Sequence, residues 1–139
     1  MNFQYESEQE IEAVVKGFET CATAKDNFPH RSHLTVAVWY LYESKIGLAA
    51  EKMRTGLFRF LEHHGVDKEK YNETLTIFWL KIIDQKMKEL GDDLSLLDLT
   101  NSVISLLENS RTAFEYYSAG LLNSRAAKER WIKPDLKKL

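Results

Sequence analysis

The sequence predicts an all-α protein, a compact bundle of five to six mostly antiparallel helices. Apolar residues recur at three- and four-residue spacing along most of the chain, which places them on one face of a helix. Two prolines and six glycines are too few to punctuate many short strands. Alternating apolar and polar runs of the kind a half-buried strand needs are also scarce. A chain of 139 residues fits a single helical domain over 1–139, long enough to bury a core without disulfide or metal staples.

The first helix is expected over 7–24. Ser7 with Glu10 three residues on makes a capping-box start, and Ile11, Val14, Val15, Phe18 and Cys21 follow at helical spacing. Residues 25–28 read as a turn. Pro29 suits a first helical position, where its missing N–H is not needed. The second helix then runs from Pro29 to about Lys45, with His30, Leu34, Ala37 and Leu41 on one face and His33 and Val38 on its flanks. Its far side carries Val36, Trp39 and Tyr42. A helix apolar most of the way round is buried among several partners, so this one belongs at the centre.

Gly47 reads as a break before a third helix from about Leu48 to His64, with Met53, Leu57, Phe60 and Leu61 inward and Gly65 as its cap. The fourth helix, Asn72 to Leu90, places Leu75, Phe78, Trp79, Ile82, Ile83 and Leu90 on a broad stripe that ends at Gly91. Like the second, it is expected inside the bundle. A fifth helix spans roughly Ser95 to Asn109, with a continuation through Phe114 to Tyr117 open. Ser124 caps a last short helix that reaches Trp131 and stops before Pro134.

Composition excludes several functions. Hydrophobic residues at 44% and charged residues at 29% give the balance of a globular chain rather than a disordered one. A net charge of −2 and a pI near 6.1 exert no pull on polyanions, so no nucleic-acid partner is expected. No stretch approaches the ~18 uninterrupted apolar residues of a membrane span, and the acidic, polar start is unlike a signal peptide. The lone Cys21 forbids an intramolecular disulfide and suits a reducing compartment. The expected location is cytoplasmic.

Two patches carry the candidate chemistry. His30 and His33, three residues apart at the start of an apolar helix, bring two imidazoles within about 5–6 Å at Cβ. Such a pair can share a metal ion or hold one anionic substrate group. It is only half a metal shell, however, and neither His-Glu-x-x-His nor Glu-x-x-His occurs in the chain. The plain alternative is a core histidine bonded to a neighbouring helix. Tyr71, Asn72, Glu73 and Thr74 form the second patch. Asn72 suits an N-cap and Glu73 the positive end of the helix dipole. A functional reading has Glu73 as a general base beside a helix start that receives a substrate oxyanion.

Elsewhere the bland readings prevail: His63 and His64 suit the end of a helix in solvent, and Cys21 sits on an apolar stripe as an inert thiol. No phosphate-binding loop and no Gly-x-Ser-x-Gly elbow is present. Trp39 and Tyr40 beside the histidines are ordinary core residues or the wall of a pocket.

The order His30-Arg31-Ser32-His33-Leu34, then Tyr71 to Trp79, then Tyr116-Tyr117-Ser118, then Ser124 to Leu136 with Trp131, Pro134, Asp135 and Leu136, resembles a family of small bacterial proteins. The resemblance covers most of the chain. It implies a helical, cytoplasmic protein and transfers no activity. In the family pattern the second motif reads Tyr-His-Glu-Thr; Asn72 stands at the histidine position here, which weakens a three-histidine metal site.

The leading expectation is therefore a small-molecule site between the starts of the second and fourth helices. His30, His33 and Glu73 would be its catalytic or ligand groups, with Tyr71, Asn72 and Thr74 orienting the ligand and Trp39 and Tyr40 lining it. The residues name no cofactor. One rival is a non-catalytic interaction module, including a homodimer; another is a metalloprotein ligated by His30 and His33.

Overall fold

The computed structural model describes residues 3–139. Among them the chain forms eight α-helices and no strand: α1 (Glu8–Glu19), α2 (His30–Glu43), α3 (Ile46–His63), α4 (Glu73–Leu90), α5 (Leu96–Leu107) and the short α6 (Ala113–Tyr116), α7 (Ala119–Leu122) and α8 (Arg125–Glu129). Most starts are fixed by a side-chain cap. Ser7, Asn72, Ser95, Ser118 and Ser124 each accept the N–H of the residue three positions on, a bond of about 1 kcal/mol per helix.

The all-α architecture and the central pair of helices are as the sequence predicts. Helix α2 packs against α1, α3, α4 and α5, and α4 against α2, α3, α5, α6 and α8. Both are buried on more than one side. Leu34, Val36 and Val38 in α2, and Phe78, Leu80 and Ile83 in α4, are all essentially inaccessible. Apart from Tyr71 and Ala127, the buried apolar side chains form one continuous cluster.

Several boundaries differ from the sequence reading, each for a local reason. Helix α1 stops at Glu19, because Cys21 adopts a left-handed backbone (φ 62) and closes the helix in the place glycine usually takes. The break before α3 falls at Ser44, which is extended and whose hydroxyl and N–H both turn back to the Tyr40 carbonyl; Gly47 lies inside α3. Helix α5 ends at Leu107, and a turn closed from Thr112 N–H to the Asn109 carbonyl separates it from α6. Helix α7 was not foreseen. Helix α8 ends at Glu129, where Arg130 is extended.

Helices α1 and α3 approach closely at Gly56, where an added Cβ would lie 2.5 Å from Phe18 Cε2. The Phe18 ring is itself held, stacked on Phe28 at 5.0 Å between centroids. After α8 the chain runs without helix as a strap over the start of α4 and over α6. Thr74 Oγ1 donates to the Arg130 carbonyl (2.7 Å) and accepts from Ile132 N–H (3.1 Å). Tyr117 OH donates to the Ile132 carbonyl (2.6 Å), and Asp135 accepts from the N–H and hydroxyl of Ser118. No helix among the described residues is long and apolar enough to cross a membrane.

Candidate functional site

The start of α2 faces the last turn of α5. The final carbonyls of a helix have no partner within it, and His30 supplies one: its Nε2–H donates to the Leu107 carbonyl at 2.9 Å. A carbonyl only accepts, so the Nε2 proton is fixed and Nδ1 is the acceptor of the neutral ring. The ring also meets Trp79 of α4 edge-on, 4.7 Å between centroids. His30 is thus both a clasp between α2 and α5 and a wall of the space beside it.

One turn on, His33 sets its ring edge against Phe28 at 4.5 Å. It is exposed, and it borders the cavity described below. Desolvation first, and the neighbouring His30 second, push its pKa down from 6.5 to about 4. Both influences favour the neutral imidazole.

Both histidines border a half-open cavity of about 410 Å³ between α2, α3 and α4. Leu34 and Ala37 from α2, Met53, Leu57 and Leu61 from α3, and Leu75, Trp79, Leu80 and Ile83 from α4 make its apolar walls. The helical spacing of these residues is what turns one face of each helix to the same space. The polar contributions are His30, His33, Lys70, Tyr71, Asn72, Thr76 and Ser110. No carboxylate lines it.

The second sequence patch divides among different tasks. Asn72 Oδ1 caps α4 by accepting from Leu75 N–H (2.9 Å), while its amide donates to the Leu122 carbonyl at the end of α7 (2.7 Å). It borders the cavity with its hydrogen bonds already made. Thr74 is fully buried and ties down the strap, so it does not orient a ligand. Glu73 points to α3, where Arg54 grips both carboxylate oxygens through Nε (2.9 Å) and Nη2 (2.6 Å), and Tyr71 OH donates to the same carboxylate. Arg54 above all, with Tyr71 adding to it against burial, holds the Glu73 carboxyl below its ordinary value. A carboxylate so stabilised as the anion is a poor general base.

Glu73 accordingly belongs to a separate polar pocket with Arg54, Lys68, Arg125 and Lys128. Trp39 and Tyr40 lie apart again, along a groove shared with Glu43 and Lys52, where Tyr40 OH donates to Glu19 at 2.6 Å. The single site expected from the sequence is therefore divided. His30, His33, Tyr71 and Asn72 border one cavity; Glu73, Thr74, Trp39 and Tyr40 do not. Sequence reasoning missed Lys70 and Ser110, which have no motif, Thr76, which lies in the 71–79 motif but was given no role there, and Arg54, whose pairing depends on how α3 sits against α4. Leu57 and Leu61 were legible as inward residues, but not as walls of a space.

Among the described residues, no group of three or more His, Cys, Asp and Glu side chains is placed to hold a metal ion. His30 and His33 remain two ligands at most, with one nitrogen of His30 bound to a carbonyl. That falls short of the three or four protein ligands of a zinc site.

No family model, curated protein or solved structure matches the chain.

Proposed function

We propose that the protein binds a small organic molecule in the cavity between α2, α3 and α4, with His30 and His33 as polar contacts at the start of α2. The cavity itself supports this reading best. Its volume of about 410 Å³ lies in the range of small-molecule sites, and apolar walls with a few convergent polar groups are their usual composition. Unlike a packing defect, it is open on one side and bordered by imidazoles and hydroxyls.

Binding is favoured over catalysis. His33 is the group with the most chemical freedom, since His30 is committed to Leu107 and Glu73 to Arg54. A neutral imidazole with a lowered pKa is a weak base, and no carboxylate in the cavity backs it. The proposal includes a cytoplasmic location, consistent with the buried, free Cys21. It also includes membership of the bacterial family suggested by the ordered motifs at residues 30–34, 71–79, 116–118 and 124–136.

The test is a thermal-shift and calorimetric survey of small organic acids, bases and neutral compounds on the wild type and on two cavity-filling variants, Leu57→Phe and Ala37→Met. At a hundredfold excess over Kd, a true ligand stabilises the fold by about 2.7 kcal/mol. At least one class is expected to bind the wild type and to lose most of its effect in both variants. A wild type that binds nothing, or ligands that survive both fillings, would remove the proposal.

A further inference from the structure

We infer that the occupant of this cavity is an aliphatic monoanion of about a dozen heavy atoms, with its tail between α3 and α4 and its anionic head at the mouth beside Lys70. The inference rests on the small-molecule reading above and adds the chemistry of the ligand.

Charge decides the head group. The ionisable side chains bordering the cavity are His30, His33, Lys70 and Tyr71, with no Asp or Glu among them. Lys70 makes no ion pair among the described residues. Its neighbours Lys68 and Glu69 line the pocket on the other side of the turn, so Lys70 is the cation of this mouth. A cationic head would meet Lys70 and find no carboxylate. A neutral head would gain no charge attraction from the ammonium, which water solvates at this exposed position. An anion placed there keeps contact with water through the open side, which avoids the cost of burying an unpaired charge.

The walls decide the tail. Met53, Leu57, Leu61, Leu75 and Ile83 are flexible or branched aliphatic side chains, with methionine able to adapt to a chain of varying shape. At about 30 Å³ for each water-sized group, 410 Å³ accommodates a tail and head of roughly the size of decanoate.

The experiment is isothermal titration of the intact protein with decanoate, decanol and decyltrimethylammonium, each below its aggregation threshold. It is run on the wild type, Lys70→Gln, Lys70→Glu and Leu57→Phe. Decanoate is expected to bind at one site, more tightly than decanol, with the trimethylammonium compound weakest. Lys70→Gln should weaken decanoate up to about fivefold and Lys70→Glu further, both effects shrinking as salt rises, while decanol is unchanged. Lys70 is exposed, so these variants are expected to fold, and circular dichroism checks it. Decanol or the cation binding as well as decanoate overturns the anion inference, and so does an affinity for decanoate indifferent to Lys70→Glu. Either result leaves the small-molecule reading standing if Leu57→Phe still abolishes binding. Saturable binding that survives Leu57→Phe removes both.

Discussion

Replacing Thr74 with valine is the sharpest test of how the strap is held. Valine has nearly the shape of threonine, so the fully buried site stays filled while two hydrogen bonds vanish: one to the Arg130 carbonyl at 2.7 Å, the other from Ile132 N–H at 3.1 Å. Each is worth about 1 kcal/mol net, and a buried group left without a partner costs about 1–3 kcal/mol. Arg130 is exposed, so water replaces its bond; Ile132 is half-buried, so its N–H is re-solvated only in part. The sum is a loss of about 2 kcal/mol, or roughly 6–10 °C in Tm for a chain of this size. Urea unfolding measures the loss, and amide exchange locates it, with faster exchange expected at Ile132 and Leu136. Thr74→Ser keeps the hydroxyl and should cost only about 1 kcal/mol for the missing methyl. A valine variant within about 0.5 kcal/mol of wild type with Ile132 protection intact, or a serine variant worse than valine, would refute the argument that these bonds hold the strap.

Three further outcomes follow from the packing and the charges. Gly56→Ala puts a Cβ 2.5 and 2.8 Å from the Phe18 ring; overpacking of about 1–3 kcal/mol outweighs a gain in helix propensity of up to about 1 kcal/mol, so denaturation should show a net loss, and a stabilised variant contradicts the close approach of α1 and α3. Arg54→Met should cost about 1–2 kcal/mol at pH 7. Because Arg54 holds the Glu73 carboxyl below its ordinary 4.5, the ion pair contributes above that value and is lost as pH falls through the lower folded one, so the gap between wild type and variant should narrow in acid; a gap constant down to about pH 2.5 would count against the pairing. His33 should titrate near 4 in a ring-nitrogen NMR experiment, and a midpoint at 6 or above would disprove its desolvation. Below pH 6.5 the unfolded chain takes up a proton that the folded one refuses until about 4, so His33 lowers stability across that window, and His33→Gln should flatten the acid side of the stability profile.

The fold was legible because α2 and α4 carry apolar residues on nearly every side, and only a central position in a helical bundle uses such a pattern. The boundaries that shifted were set by single residues acting against type. Cys21 does glycine's work at the end of α1, and Gly47 sits quietly within α3. The candidate site was half legible. His30 and His33 stand out as polar groups at the head of an apolar helix, and the cavity lies beside them. The roles of residues 72–74 were hidden because their partners are distant in sequence. Leu122 is 50 positions from Asn72, Arg54 is 19 from Glu73, and Arg130 is 56 from Thr74. Helical periodicity says which residues turn inward, not which one they meet.

Those three consecutive residues have a practical consequence for where the chain accepts added sequence. Asn72 fastens the end of α7, Glu73 fastens α3, and Thr74 fastens the strap. Splicing a reporter peptide into this turn would shift the register of all three at once. Between α4 and α5, by contrast, Asp92 and Asp93 are exposed and make no side-chain hydrogen bond or ion pair among the described residues. Loops of that kind tolerate insertion. A split or tagged version of this protein should therefore be cut at 92–93, leaving both the cavity and the strap as they are.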